Sequence, residues 1–306
     1  MLPAIVAHNL TKSYRRGVVA TNGLDLRIDP GVVYGLIGRN GAGKTTTLRL
    51  LVGLLRPDAG QALVLGHDLW QAPSELRQRV AYVSQSQQAP NWMSLDDLTR
   101  YARAFYGRWS DANAQQLSQR WELPWKVPVG QLSGGQQRLA AILIALAARP
   151  EVLLLDEPAA GLDPIARDSL NQCLVESMLE TGCTILLSTH LIGDLERLAT
   201  HVGIMDRGRI VQSGEVEDWH RTLRRVQIVF PGEGPPSEFA VPGALRTQQL
   251  GPVVTAVARI ADEEQLNHIR AIPGVRVNVF PLTLEEVFVA LFRNQELETE
   301  TRAPSI

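Results

Sequence analysis

Between "IVAHNLTKSY" (5–14) and "GRIVQSGEV" (208–216), short and nearly unbroken apolar runs alternate with longer amphipathic segments. That alternation is the pattern of a mainly parallel sheet covered by helices, whose central strands are apolar on both faces. "YGLIG" (34–38), "EVLLLDE" (151–157) and "CTILLST" (183–189) read as buried strands, and "KTTTLRLLVGLL" (44–55) and "GQQRLAAILIALAA" (135–148) as helices. After Gly214 the pattern changes. "RRVQIVFPGEGPPSEFAVPG" (224–243) joins a strand to a Pro/Gly-rich loop, and "VVTAVARI", a helix over "DEEQLNHIRAI" and the strand "VRVNVF" follow. "TLEEVFVALFRN" (283–294) has a threonine start and helical apolar spacing, so a closing helix is expected there. The expected organisation is one α/β domain over 1–215, with a helical subdomain over about 86–150, then a small α+β module over 216–295 and a polar tail over 296–306.

A chain of 306 residues, 45% hydrophobic, can bury one large core or two ordinary ones. Its net charge of −2 supplies no global basic field, so no nucleic-acid partner is expected. The two cysteines, Cys173 and Cys183, fall in a helix-like and a strand-like segment without metal spacing and read as small core residues. The first residues lack the unbroken apolar stretch of a signal peptide, and no later stretch reaches the roughly 18 apolar residues of a membrane span. A membrane role would need a partner chain.

"GRNGAGKTT" (38–46) fits G-x-x-x-x-G-K-[ST] with Gly38, Gly43, Lys44 and Thr45. A strand delivers Gly38 to a tight loop through Arg39, Asn40, Gly41 and Ala42. Glycines let successive backbone N–H groups converge on phosphate oxygens, and the N-terminus of the helix entered at Lys44, Thr45 and Thr46 adds its dipole. Lys44 supplies a point charge to the β- and γ-phosphates and Thr45 a hydroxyl for Mg²⁺. In "VLLLDEP" an apolar strand brings Asp156 to the sheet edge for the same ion, and Glu157 can polarise an attacking water.

"LSGGQ" (132–136) would occur by chance in a chain of this length only a few times in roughly ten thousand. In that order with GRNGAGKTT and VLLLDEP, it resembles the ATP-binding cassette ATPases over residues 1 to about 215. The resemblance implies a P-loop ATPase cassette that pairs head to tail with a second one, expected to be a copy of itself. Ser133, Gly134, Gly135 and Gln136 would then cap the γ-phosphate held by the other subunit's Lys44. It also implies that Tyr14 in "TKSYRRG" stacks on adenine. Gln85 in "AYVSQS", with Gln87 and Gln88 close by, would reach Mg²⁺ and the attacking water. Asp163 in "AAGLDP" would line the dimer interface, and His190 in "LLSTHL" would contact the γ-phosphate.

"NWMSLDDLTRYARAFYG" (91–107) resembles the helical region by which bacterial multidrug and bacitracin-type export cassettes dock on membrane subunits. "PLTLEEVFVALF" (281–292) resembles the closing segment of such subunits. The expectation is an ATPase at the cytoplasmic face of the inner membrane, driving separate permease subunits and more in keeping with export than import. The alternative is a cassette protein of translation or DNA repair. Those usually carry two cassettes on a charged linker, or long coiled-coil or zinc inserts, and neither feature is present in this sequence.

Overall fold

The computed structural model describes residues 2–86, 89–232, 234–236, 239–260 and 262–290. The chain divides into two compact units, residues 1–213 and 214–306. In the first, β1 (Ile5–Tyr14), β2 (Val18–Ile28) and β3 (Val33–Ile37) lead to α1 (Lys44–Leu51), β4 (Ala59–Val64), the single turn α2 (Ser74–Arg77) and β5 (Val80–Val83). Three helices follow, α3 (Leu95–Arg103), α4 (Asp111–Arg120) and α5 (Gly134–Ala147). Then come β6 (Val152–Asp156), α6 (Pro164–Thr181), β7 (Thr184–Thr189), α7 (Ile192–Leu198), β8 (His201–Asp206) and β9 (Arg209–Glu215).

Six strands form one sheet in the order β5-β6-β7-β3-β8-β9. The first five run parallel, with Val83 opposite Leu155, Asp156 opposite Ser188 and Ile37 opposite both Thr189 and Ile204. β9 returns along β8 through the two-residue turn Arg207–Gly208, both at positive φ, the geometry that matches hairpin twist. Every residue of β3, β6 and β7 is buried, which is why these strands read as continuous apolar runs.

β1, β2 and β4 leave this sheet and form a separate antiparallel one, in the order β2-β1-β4, which the apolar pattern alone did not resolve. Helix α1 is packed between the two sheets. Leu48 and Leu51 share one buried cluster with Ile5, Leu24 and Val64 of the antiparallel sheet and with Leu36, Leu154, Leu186 and Met205 of the parallel one. Each such buried aliphatic side chain contributes about 1.5–3 kcal/mol. The helix that follows the phosphate loop is therefore fixed by the core itself.

The second unit starts with α8 (Val216–Thr222) and β10 (Leu223–Val229) and continues through β11 (Ala244–Leu250), β12 (Val253–Arg259), α9 (Asn267–Arg270) and β13 (Arg276–Pro281). Its antiparallel sheet runs β11-β12-β10-β13 around Val226, Ile228, Val254, Ala256, Ala258, Leu266 and Ile269. The helix expected over 262–272 is reduced to a 3₁₀ turn, Glu263–Leu266, and the single turn α9. Asp262 caps the 3₁₀ turn, and Pro273 with Gly274 at φ 78° ends the segment. β11 was not read from the pattern, because it is an edge strand with hardly any buried side chain. Residues 284–290 are helical. Thr283 Oγ1 accepts from Glu286 N, and the Glu286 carboxylate accepts from Thr283 N, a reciprocal cap. The rest of the closing segment and the tail, 291–306, lie outside the described residues.

Candidate active site

The C-terminal ends of β3, β5, β6 and β7 face one edge of the parallel sheet, where ligands bind in folds of this kind. β3 ends at Ile37 and the loop 38–43 turns into α1. A Cβ at Gly43 would lie 2.0 Å from Ala20 O, with the backbone at φ 108°, and one at Gly38 would lie 2.5 Å from Met205 O. Only glycine fits at either point. No side chain caps the start of α1, so its first amides point at the space a phosphate would fill.

Lys44 is 93% buried, at 7% exposure. Its Nζ donates to Gly38 O at 2.7 Å and to Arg39 O at 3.4 Å, and lies 3.8 Å from Glu157 Oε1. Burial pulls its pKa below the usual lysine value, while Glu157 and then Asp156 push it back up. The lysine is thus held inside its own loop, with carboxylates across the gap.

Asp156 Oδ1 accepts from Thr45 Oγ1 at 3.1 Å and from Ser188 Oγ at 2.6 Å. Asp156 Oδ2 is fully buried and has no hydrogen-bond partner among the described residues. A threonine hydroxyl beside a carboxylate oxygen without a protein donor is a hard-oxygen set of the kind that binds Mg²⁺. Glu157, next in the chain, sits at φ 52°, a left-handed backbone uncommon for a residue with a side chain. Its amide donates to Ser188 O at 3.0 Å, which anchors that strained turn to β7. Its Oε2 meets His190 Nδ1 at 2.7 Å and accepts from His190 N at 3.4 Å.

Tyr14 ends β1 half-exposed beside the loop helix, with its hydroxyl 3.3 Å from Thr46 Oγ1. Arg39, Asn40 and Gly41 form the exposed tip of the loop, and Ala42 is buried under it. Gln85 follows β5. It is the Gln85 carbonyl that is tethered, accepting from Arg138 Nη2 at 2.6 Å, and the side chain is exposed. Gln87 and Gln88 lie outside the described residues.

Ser133 and Gln136 form a reciprocal cap at the start of α5, through Gln136 N to Ser133 Oγ at 3.2 Å and Ser133 N to Gln136 Oε1 at 3.1 Å. Asp163 caps α6, accepting at Oδ1 from Ile165 N and Ala166 N at 2.9 Å each. These two helix starts are neighbours, since a Cβ at Gly135 would lie 3.4 Å from Gly161 O. Ser133 and Gly134 are exposed. Among the described residues, no hydrogen bond or ion pair joins them to Lys44, Asp156 or Glu157.

Two polar residues missed by the sequence reading complete the arrangement. Ser188 holds Asp156 and Glu157 from the neighbouring strand, and its signal was a hydroxyl inside a buried apolar run. Arg138, about one turn into α5, reaches carbonyls of both the Gln85 and Glu157 segments. It carried no signal beyond being the one charge in a helix whose later turns are apolar.

A glycine loop on an unobstructed helix start, a buried lysine, a hydroxyl–carboxylate pair and an adjacent glutamate–histidine pair define a P-loop nucleoside triphosphatase. The family described as "ABC transporter" matches residues 21–160. The chain is 34% identical over 300 residues to the Nod factor export ATP-binding protein I of Cupriavidus metallidurans, covering 95% of this chain and 98% of that protein. It is 35% identical over 229 residues to the daunorubicin/doxorubicin resistance ATP-binding protein DrrA of Streptomyces peucetius, covering 72% of this chain and 68% of that protein. A solved ATP-binding subunit of an ABC transporter superposes with a TM-score of 0.65 at 28% identity, over 71% of this chain and 92% of the other. The chain belongs to the ATP-binding subunits of ABC transporters. It is the ATPase subunit of an ABC transporter. Among the described residues, no helix is long and apolar enough to cross a membrane.

Proposed function

We propose that residues 1 to about 215 form a Mg²⁺-dependent ATPase cassette that closes on a second copy of itself and drives an export permease from the cytoplasmic face of the inner membrane. The observation that carries this reading is the division of the site. One group, Lys44, Thr45, Asp156, Glu157 and His190, is assembled around the loop, while the capped start of α5 at Ser133 stands exposed outside it. A second copy placed head to tail would bring its Ser133, Gly134, Gly135 and Gln136 over the phosphate that this Lys44 holds, with Asp163 at the seam. Nucleotide would then stabilise the pair by binding the closed state, and hydrolysis would release it.

In that closed site the amides of 38–45 and Nζ of Lys44 hold the β- and γ-phosphates, and Tyr14 lies against the adenine. Thr45, Asp156 and Gln85 would hold Mg²⁺, which when bound offsets charge on the β- and γ-oxygens. Glu157 receives or orients the proton of the attacking water, and the ring of His190 fixes the Glu157 carboxylate and reaches toward the γ-phosphate. Attack is in line, and Lys44, Ser133 and His190 stabilise the charge that is transferred.

For the permease, the helical segment supplies a groove of about 540 Å³ lined by Leu98, Tyr101, Ala102, Phe105 and Ile144. Tyr101 and Phe105 are exposed, and Trp92 nearby is 75% exposed. A partner helix would bury these aromatic side chains, which dominate interface energies. Export is supported by the names of the relatives, which concern Nod factor export and daunorubicin/doxorubicin resistance. The unit over 216–295 is read as an accessory domain of the same subunit.

Affinity capture of the tagged chain from gently solubilised membranes, with and without ATP and Mg²⁺, tests the proposal. A polytopic membrane protein recovered in stoichiometric amount, and lost when Tyr101 and Phe105 are both changed to Glu, is the expected result. Ribosomes or DNA-bound proteins with no membrane chain would overturn it.

A further inference from the structure

The parallel strands β5 and β6 end side by side, Val83 opposite Leu155, and each is followed at once by a segment with an assigned role: Ser84–Gln85 after β5 and Glu157 after β6. A single side chain laces the two. Arg138 donates through Nη2 to Gln85 O at 2.6 Å, and through Nη1 to Ser84 O and to Glu157 O at 3.4 Å each. It is half-buried between them. Arginine suits this task because its planar fork presents several donors in fixed directions, whereas a lysine ammonium is a single rotating point charge.

Arg138 is also rigidly tied to the other end of the proposed site. It lies five residues from Ser133 on the same helix, about 7.5 Å along the axis. Leu139, Ile142, Leu143 and Leu146 of that helix are buried and fix it in the core, so its start cannot shift without moving the guanidinium. Desolvation lowers the Arg138 pKa while Asp156 and Glu157 raise it, which places the cation within the field of both carboxylates.

We propose that Arg138 is a positioning residue: it holds the Gln85 and Glu157 segments in one register and passes to both the seating of the Ser133 end of α5. The proposal rests on the reading of Ser133 as the group that meets the second copy's phosphate. Arg138 touches no substrate. It acts by where it keeps the carbonyls, and through them the Gln85 side chain and the strained Glu157 turn. Misplacement of catalytic groups by about 1 Å from such a distance costs on the order of 10²-fold in rate.

The test compares the full-length chain, with the membrane partner recovered above, to its Arg138→Ala and Arg138→Lys forms. The readouts are ATP hydrolysis, equilibrium ATP binding, and ATP-dependent dimer formation in a Glu157→Gln background. For Arg138→Ala, kcat is expected to fall by roughly 10- to 100-fold while the Kd for ATP changes less than about threefold. Millimolar guanidinium, far below denaturing levels, should restore part of the lost turnover, and equal urea should not. Arg138→Lys should fall between the two. Unchanged kcat in Arg138→Ala, or a loss that guanidinium does not relieve while Arg138→Lys behaves as wild type, would overturn the proposal. A wild-type chain that fails to hydrolyse ATP, or a Glu157→Gln chain that fails to dimerise, would instead count against the cassette reading on which it rests.

Discussion

His190 Nδ1 and Glu157 Oε2 lie 2.7 Å apart, and the His190 amide donates to the same oxygen at 3.4 Å. Glu157 is buried and His190 half-exposed, so the pair joins an interior carboxylate to a ring at the mouth of the site. The hydrogen bonds occupy one carboxylate oxygen. They leave Oε1 facing Lys44 at 3.8 Å, the side from which a phosphate and its attacking water would arrive.

Glu157→Gln keeps the shape and most hydrogen bonds of this corner but removes the base. It should retain ATP binding, lose about 10² to 10⁴ in hydrolysis, and accumulate an ATP-bound dimer. Steady-state hydrolysis and size-exclusion chromatography with ATP check both halves. Turnover equal to wild type would remove Glu157 from its assigned role.

Ser133 separates binding from closure. Its side chain caps α5 and is exposed, away from the Lys44 cluster of its own chain. Ser133→Arg should leave ATP binding by the single chain intact and block the dimer that Glu157→Gln otherwise accumulates. Loss of single-chain ATP binding would show that the α5 start acts within one subunit.

Asp156 presents a buried oxygen with no protein donor among the described residues. Asp156→Asn removes the charge yet keeps an oxygen. The Mg²⁺ concentration giving half-maximal hydrolysis should rise at least about tenfold, as for weakened ligand sets, while ATP binding in EDTA stays near wild type. A Mg²⁺ dependence identical to wild type would count against the proposed ligand set.

The thiols offer a pH test of the core. Burial pushes Cys183 up to about 12 and Cys173 up to about 11, and both are free and buried. At pH 8 the folded chain should resist alkylation by iodoacetamide and take up label on both cysteines only in denaturant. The sign for stability follows. A pKa raised in the folded state means the unfolded chain loses its proton first, so the stability linked to Cys183 is fully present below about pH 8.5 and declines as pH climbs toward 12. The urea midpoint of wild type relative to Cys183→Ala should therefore narrow from pH 8 to pH 10. A constant difference would contradict the burial-driven shift.

What the chain carried on its face follows from local and periodic rules. The glycines of 38–43 mark a backbone that admits no Cβ, the apolar runs ending at Ile37, Asp156 and Thr189 mark doubly covered strands, and "LSGGQ" marks a capped helix start. Each is encoded within a few residues and survives without knowledge of the fold. Less legible were the edge strand β11, which buries too little to leave an alternation, and the segment 262–272, which forms a 3₁₀ turn and a single α turn in place of one helix. The antiparallel sheet of β1, β2 and β4 was equally hidden, because pairing partners as distant in the chain as Ile5 and Val64 leave no local mark.

Only the tertiary structure decided which groups meet. It set Ser188 under Asp156, drew His190 onto Glu157, and ran Arg138 from a separate helix into the carbonyls of two strand ends. The sequence determined the ligand and the chemistry, because phosphate binding is built from contiguous backbone and its neighbouring side chains. The coupling between sites was decided by strand order and helix packing, which place residues as far apart in the chain as Thr45 and Asp156, 111 positions, within hydrogen-bond reach and are set by burial of the whole core.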